Sequence, residues 1–321
     1  MVGRGPPAGR PLTEVVQAGF YGPGSEAWRL NREAMLLLGA GPRALLLQLA
    51  HPLVAEGVDE HSDFRADPWA RLAATLRSYL RIVYGTAPQA RAEIRRLNGL
   101  HRDIRGLVRD PAARERHGAR YHARDPELSL WVHATLVDST IAAYDAWIEP
   151  LGPDRRARFY AETLPVGAAF GIPASRLPAD VEAFDEYVAS MLAPGGAVEV
   201  GDLARELADT VLHPPLGPAA AALGWPGANL APWLDAIPAS TYGWLLWPSI
   251  GLLPATVREG YGLQWGIRER LVSTWLVSTW RAWRPFLPTT FRSMPQALAA
   301  DRRIGAIGAG EGAGGDVRPA A

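Results

Sequence analysis

PELSLWVHATLVDSTIAAYDAWI, residues 126–148, decides how this chain folds. Its apolar side chains fall on nearly every face of a 3.6-residue turn, and Asp125-Pro126 ahead of it offers a cap and a first-turn proline. A helix that is apolar all round is buried all round, so the stretch predicts a central helix wrapped by others. His133 and Asp138 lie within it, and buried polar groups need partners: a neighbouring side chain, the backbone or the edge of a cofactor.

Helix signals continue on both sides. Ser25 caps a helix expected to run to about Leu38, where Gly39-Ala40-Gly41 reads as a break and Pro42 as the first turn of the next. Asp67-Pro68 opens a segment to about Tyr84, Ala87-Pro88 opens one over 88–109, and Pro153 and Pro178 begin two more. Beyond the Pro194-Gly195-Gly196 turn, helices are expected near 200–212, 228–246, 262–284 and 286–300. No stretch shows strand alternation with hairpin turns. The expected fold is therefore all-α: a flexible lead-in over 1–24, one helical domain over 25–304, and a disordered Gly/Ala-rich tail over 305–321.

Composition removes several chemistries. The chain of 321 residues has no cysteine, which excludes disulfides, iron–sulfur clusters, thiolate-ligated haem and cysteine nucleophiles. All 33 basic residues are arginine, so Schiff-base chemistry and a Walker-type phosphate loop go as well. The formal charge is zero with no charge blocks, which argues against a nucleic-acid partner. The N-terminus lacks an apolar signal core, and the apolar stretch 237–253 is broken by Pro238, Gly243, Pro248 and Gly251. These features predict a cytoplasmic protein without a transmembrane segment.

His101 sits in an apolar stripe, Ile94-Leu97-His101-Ile104-Val108, that shares one face of the 88–109 helix. A buried imidazole is either a core histidine bonded to a neighbour or a ligand, for which iron is a candidate. Arg71 and Thr75, one turn apart on the preceding helix, either lie on a solvated face or aim at a cavity. In a cavity the arginine would pair with a carboxylate or stabilise bound dioxygen, and the threonine would add a hydrogen bond. His51, Glu56, Asp59, Glu60, His61 and Asp63 crowd one segment without an H-E-x-x-H or Glu-x-x-His string, so a dedicated zinc or non-haem iron site is disfavoured. Glu56 or Glu60 is a candidate base, although carboxylates at such a turn more often cap helices. Eight of the twelve tryptophans follow Pro215. Most are expected in the core, with a minority lining an apolar channel.

The order LLGAGPRALLLQLAHPLVAEGVDEHSDFRADPWARLAATLR, then LNGLHRDIRG, then DPELSLWVHATLVDSTIAAYDAW resembles the catalytic domain of the rubber oxygenases (latex clearing proteins) and MpaB-type oxygenases. The resemblance is firm from about Glu33 to Tyr160. It implies a globin-like helical bundle holding haem b, with iron on the histidine that follows an Arg-x-x-Lys-Thr string by about thirty residues. Here the string reads Arg71-Leu72-Ala73-Ala74-Thr75 and the histidine is His101. Ala74 stands where rubber oxygenases carry a lysine that closes over the distal side, so that side is expected to be open or filled by water, dioxygen or another side chain. His51 and His61 belong to the family's H-P-x-V-A-x-G-V-x-x-H-S pattern and are expected near the pocket, as is His133. What the resemblance implies is a haem-dependent oxygenase that uses dioxygen on an apolar, unsaturated small molecule, with Arg71 and Thr75 as catalytic residues. The alternative is a haem or hydrophobic-ligand carrier or sensor without turnover. The oligomeric state is not readable from the sequence.

Overall fold

The computed structural model describes residues 19–61, 68–213 and 243–312. The fold is all-α. The central helix is α7, Pro126–Trp147, capped by Asp125, and Leu130, Trp131, Ala134, Val137, Ile141, Tyr144 and Trp147 are buried along it. Its main partner is α2, Ala34–Leu49, which runs unbroken through Gly39-Ala40-Gly41 and Pro42. The expected break at these glycines is therefore corrected. Gly39 is there for contact: a Cβ on it would lie 2.7 Å from the Nε1 of Trp147 and 3.1 Å from the Cβ of Ala143, so its missing side chain lets α2 and α7 approach closely.

Polar side chains lock this pair together. Buried Arg43 donates to Asp138 at 2.6 Å, to Ser139 at 2.8 Å and to the Leu252 carbonyl at 2.8 Å, while Gln48 donates to Thr135 at 3.0 Å. Asp138 thus finds its partner in an arginine, as a buried carboxylate must. The helix capped by Ser25 is α1, Glu26–Asn31. It stops short of Leu38 because Glu33 turns aside to bridge Ser293.

Around this pair lie α3 (Pro52–His61), α4 (Pro68–Tyr84), α5 (Ala87–Asp103), α6 (Pro111–His117), α8 (Pro153–Ala169), α9 (Val181–Leu192) and α10 (Asp202–Leu212). Later come α11 (Trp247–Gly251), α12 (Ala255–Gly260), α13 (Ile267–Trp283), α14 (Thr289–Arg292) and α15 (Pro295–Gly312). The last helix passes the expected end at 304. Most of the expected 228–246 helix lies outside the described residues, apart from a short 3-10 turn at Gly243–Leu246. Strands were not anticipated, yet Arg105–Leu107 (β1) and Arg120–His122 (β2) pair antiparallel in a two-stranded ribbon. Three residues each are too few to display an alternation in sequence.

The tryptophans also fall differently from expectation. The deeply buried ones are Trp28, Trp131 and Trp147, whereas Trp275 and Trp283 on α13 are exposed and Trp244, Trp247, Trp265 and Trp280 are half-buried. Trp225 and Trp233 lie outside the described residues. No single helix among the described residues is long and apolar enough to cross a membrane.

Candidate functional site

The hairpin of α4 and α5 carries the proposed residues. Its turn is closed by a capping box, in which the Thr86 hydroxyl accepts from the Gln89 amide and Gln89 accepts from the Thr86 amide. Its register is set by Glu93, a buried carboxylate on α5. Ser78 of α4 donates to it at 2.7 Å, Arg81 reaches it at 3.3 Å, and Arg96 both pairs with it and donates to Ser78. The Arg96 guanidinium, helped by Ser78 and Arg81, holds the Glu93 carboxyl down to about 2.

Counted outward from that lock, the antiparallel register brings Arg71 across from His101. Arg71 does lie close enough to lower the basicity of the imidazole, whose pKa falls below its ordinary value through burial first, then through Arg71 and Arg124. His101 is therefore a neutral, half-buried imidazole between two cations, and it makes no hydrogen bond among the described residues. Arg124 follows β2 and escaped the sequence reading, because nothing in the spacing of a loop arginine marks it. The His101 stripe is also shorter than expected: α5 ends at Asp103, so Ile104 and Val108 belong to the ribbon segment and only Ile94, Leu97 and His101 share the helix face.

Arg71 and Thr75 are both exposed, and the Thr75 hydroxyl donates back to the Arg71 carbonyl at 3.1 Å. One turn further on, Tyr79 donates to Asn31 and reaches Thr140 of α7. Beyond Thr140 the same face of α7 continues through Leu136, His133 and Val132. Leu136 is 37% exposed and the other two are half-buried. His133 rests against Gly167 of α8, and its Nε2 has no hydrogen-bond partner among the described residues; burial holds its pKa down to about 4. Asn98 of α5 ties to the Ala169 carbonyl at 2.9 Å, and Leu97 packs with Val166 and Phe170. α8 thus touches both α5, through Asn98, and α7, through His133.

The other histidines have different company. His51 is buried with its ring 5.2 Å from that of His117, its Nδ1 accepts from the Leu53 amide, and burial followed by His117 lowers it to about 4. His61 lies by the ribbon, 3.0 Å from the Arg105 carbonyl and edge-on to Tyr121. Glu56 is corrected as a candidate base: its oxygens accept from the amide and Nε of Arg109 at 2.8 and 2.6 Å, and Asp110 adds a third bond. Glu60 accepts the Tyr121 hydroxyl. Asp63 lies outside the described residues. No group of three or more His, Asp or Glu able to hold a bare metal ion occurs among the described residues.

For a porphyrin the donor set is suitable. A neutral imidazole without a competing hydrogen bond can ligate iron, two arginines lie beside it to meet acidic substituents, and α7 offers an apolar face. The same arrangement gives little to a hard metal ion, which requires several oxygen donors.

Comparison with known proteins agrees with this region of the chain. The uncharacterized protein Rv2237 of Mycobacterium tuberculosis and the uncharacterized protein Mb2261 of Mycobacterium bovis are each 30% identical over 148 residues, which cover 44% of this chain and 55% of theirs. The chain thus spans about half the length of the curated relatives it matches. No solved structure matches it significantly. Residues 28–287, which contain the hairpin, the ribbon and the central helix, match the catalytic domain described as ER-bound oxygenase mpaB/B'/rubber oxygenase, and the chain belongs to that family.

Proposed function

We propose that this protein is a haem b-dependent oxygenase that uses dioxygen on an apolar, unsaturated small molecule. The observation that carries the reading is the half-buried His101, neutral and without a hydrogen bond among the described residues, set opposite Arg71 by the α4–α5 register. In this reading His101 is the iron ligand. Arg71 and Arg124 would pair with the haem carboxylates, and Thr75, exposed on the same helix face one turn away, is free to turn its hydroxyl from its own backbone toward a bound oxidant. Bound haem supplies the redox chemistry; the protein supplies orientation, charge and exclusion of water.

In this reading His133 of α7 belongs to the wall of the pocket, where a buried neutral ring suits the exclusion of charge. Ala74, half-buried on α4, leaves the family's lysine position without an amine.

The test is spectroscopic. Protein produced in haem-supplied cells is expected to show a Soret band that shifts on reduction, and His101→Ala is expected to lose it while keeping the helical circular dichroism of the parent. Dioxygen uptake with an unsaturated terpenoid then separates turnover from carriage. A parent protein without the band, or a His101→Ala variant with an unchanged spectrum, would end the proposal.

A further inference from the structure

A cavity of about 370 Å³ lies where α1, the end of α7, the start of α8 and the α13–α14 connection meet. Its wall holds five arginines, Arg29, Arg32, Arg155, Arg284 and Arg292, against two glutamates, Glu33 and Glu149. Four of the arginines are oriented by carboxylates: Arg284 grips both oxygens of Glu33, Arg155 reaches Glu149 and Glu26, Arg29 pairs with Glu26, and Arg32 pairs with Asp301. Arg155 also lies over the ring of Tyr144, 5.6 Å from its centroid. Such fixing engages all three nitrogens of Arg155 but leaves Arg29, Arg32 and Arg284 with N–H donors that these carboxylates do not use. Arg292 is different: half-buried, it pairs with no carboxylate among the described residues.

Three exposed aromatic side chains adjoin the lining arginines in sequence. Trp283, Phe286 and Phe291 are 64%, 79% and 54% exposed, and they flank Arg284 and Arg292 in the chain. Large exposed aromatics beside fixed arginines form an amphipathic surface, with a head-binding pocket next to an apolar shelf. The chemistry that satisfies both parts is a phosphate head on an apolar body.

We propose that the pocket lined by Arg29, Arg32, Arg155, Arg284 and Arg292 binds the phosphate head of an amphiphile whose apolar part lies on Trp283, Phe286 and Phe291. Several guanidinium forks arranged around one cavity match the several oxygens of a phosphate better than the two of a carboxylate. The site shares none of its residues with the His101 region and does not depend on the haem reading. The head can arrive on a free molecule or in a bilayer; the chemistry recognised is the same.

Octyl phosphate below its micelle concentration serves as the soluble probe, with inorganic phosphate beside it, read by calorimetry or tryptophan fluorescence. Saturable binding is expected, weaker at higher salt and about tenfold weaker in Arg292→Glu, the loss of one charge-assisted contact. Phe286→Ser with Phe291→Ser is expected to weaken octyl phosphate while leaving inorganic phosphate unaffected. Cosedimentation with phosphatidylcholine vesicles containing phosphatidate, but not with pure phosphatidylcholine, and its loss in Arg292→Glu, identify the bilayer as a source of the head. Because Arg292→Glu can perturb α14, its melting curve is compared with the parent's, and Arg292→Gln serves as a milder second variant. Binding of neither probe, or binding that both Arg292 variants retain, overturns the proposal.

Discussion

At the scale of a single residue, His101 shows how a side chain's state follows from what its neighbours withhold. It lacks a hydrogen-bond acceptor or donor among the described residues, and the two charges beside it, Arg71 and Arg124, are of the sign that discourages protonation. A ring so placed takes up a proton less readily than a free imidazole and keeps a lone pair for a metal. Arg71→Gln removes a cation without shortening the side chain greatly. It is expected to raise the pKa of His101 in the cofactor-free protein, read by NMR titration, and to weaken haem retention about tenfold, read by transfer to a competing haem acceptor. A variant that holds haem as firmly as the parent would remove Arg71 from the carboxylate-pairing role.

At the scale of the element, the helices were legible where apolar periodicity and capping chemistry agreed. Asp125-Pro126, the Thr86 box with Pro88, and Pro153 open helices close to where the sequence put them, because a cap and its proline act locally. Gly39-Ala40-Gly41-Pro42 misled for the opposite reason. Local chemistry favours a break there, but the gain from bringing α2 against α7 is tertiary and leaves no mark within the segment itself. The ribbon at Arg105–Leu107 was hidden by its length and by the apolar stripe of α5, whose last members, Ile104 and Val108, are buried through the ribbon and not through the helix. Of the candidate site, the pairing of Arg71 with His101 was readable from the resemblance. Arg124 and Tyr79 were not, since their places depend on the ribbon and on the approach of α4 to α7. Gly39→Ala tests the tertiary account: the added methyl would sit 2.7 Å from Trp147 Nε1, and a destabilisation of about 1–3 kcal/mol by urea denaturation is expected. If Gly39 were a helix breaker instead, alanine would stabilise the protein.

At the scale of the whole molecule, several buried titratable groups give stability a definite pH profile. His51 and His133 each fall from the ordinary 6.5 to about 4, and burial leads the causes in both. Unfolding restores the ordinary value, so between pH 6.5 and 4 the unfolded chain binds protons that the folded one refuses, and stability falls as the pH drops through that window. Glu93 acts lower. Its carboxyl, held to about 2 against an ordinary 4.5, stabilises the fold fully above the ordinary value and loses that contribution as the pH falls toward 2. Thermal melts from pH 7 downward are expected to show a fall beginning near 6.5 and continuing below 4. The first part should be shallower in His51→Asn, and a flat profile between 6.5 and 4 would contradict the buried neutral histidines.

The Arg43 anchor has a further implication for motion. Because its guanidinium grips Asp138 and Ser139 as well as the Leu252 carbonyl, the two innermost helices cannot slip by a turn without breaking the bonds to Asp138 and Ser139. The inner couple is then the fixed post of the fold, and the outer arm of α4 and α5, joined at Gly85-Thr86, is expected to yield to a bulky guest before it does. Amide deuteration is expected to be slowest in 34–49 and 126–147 and quickest toward the open ends of the arm; uniform rates across both would mean that the post moves too.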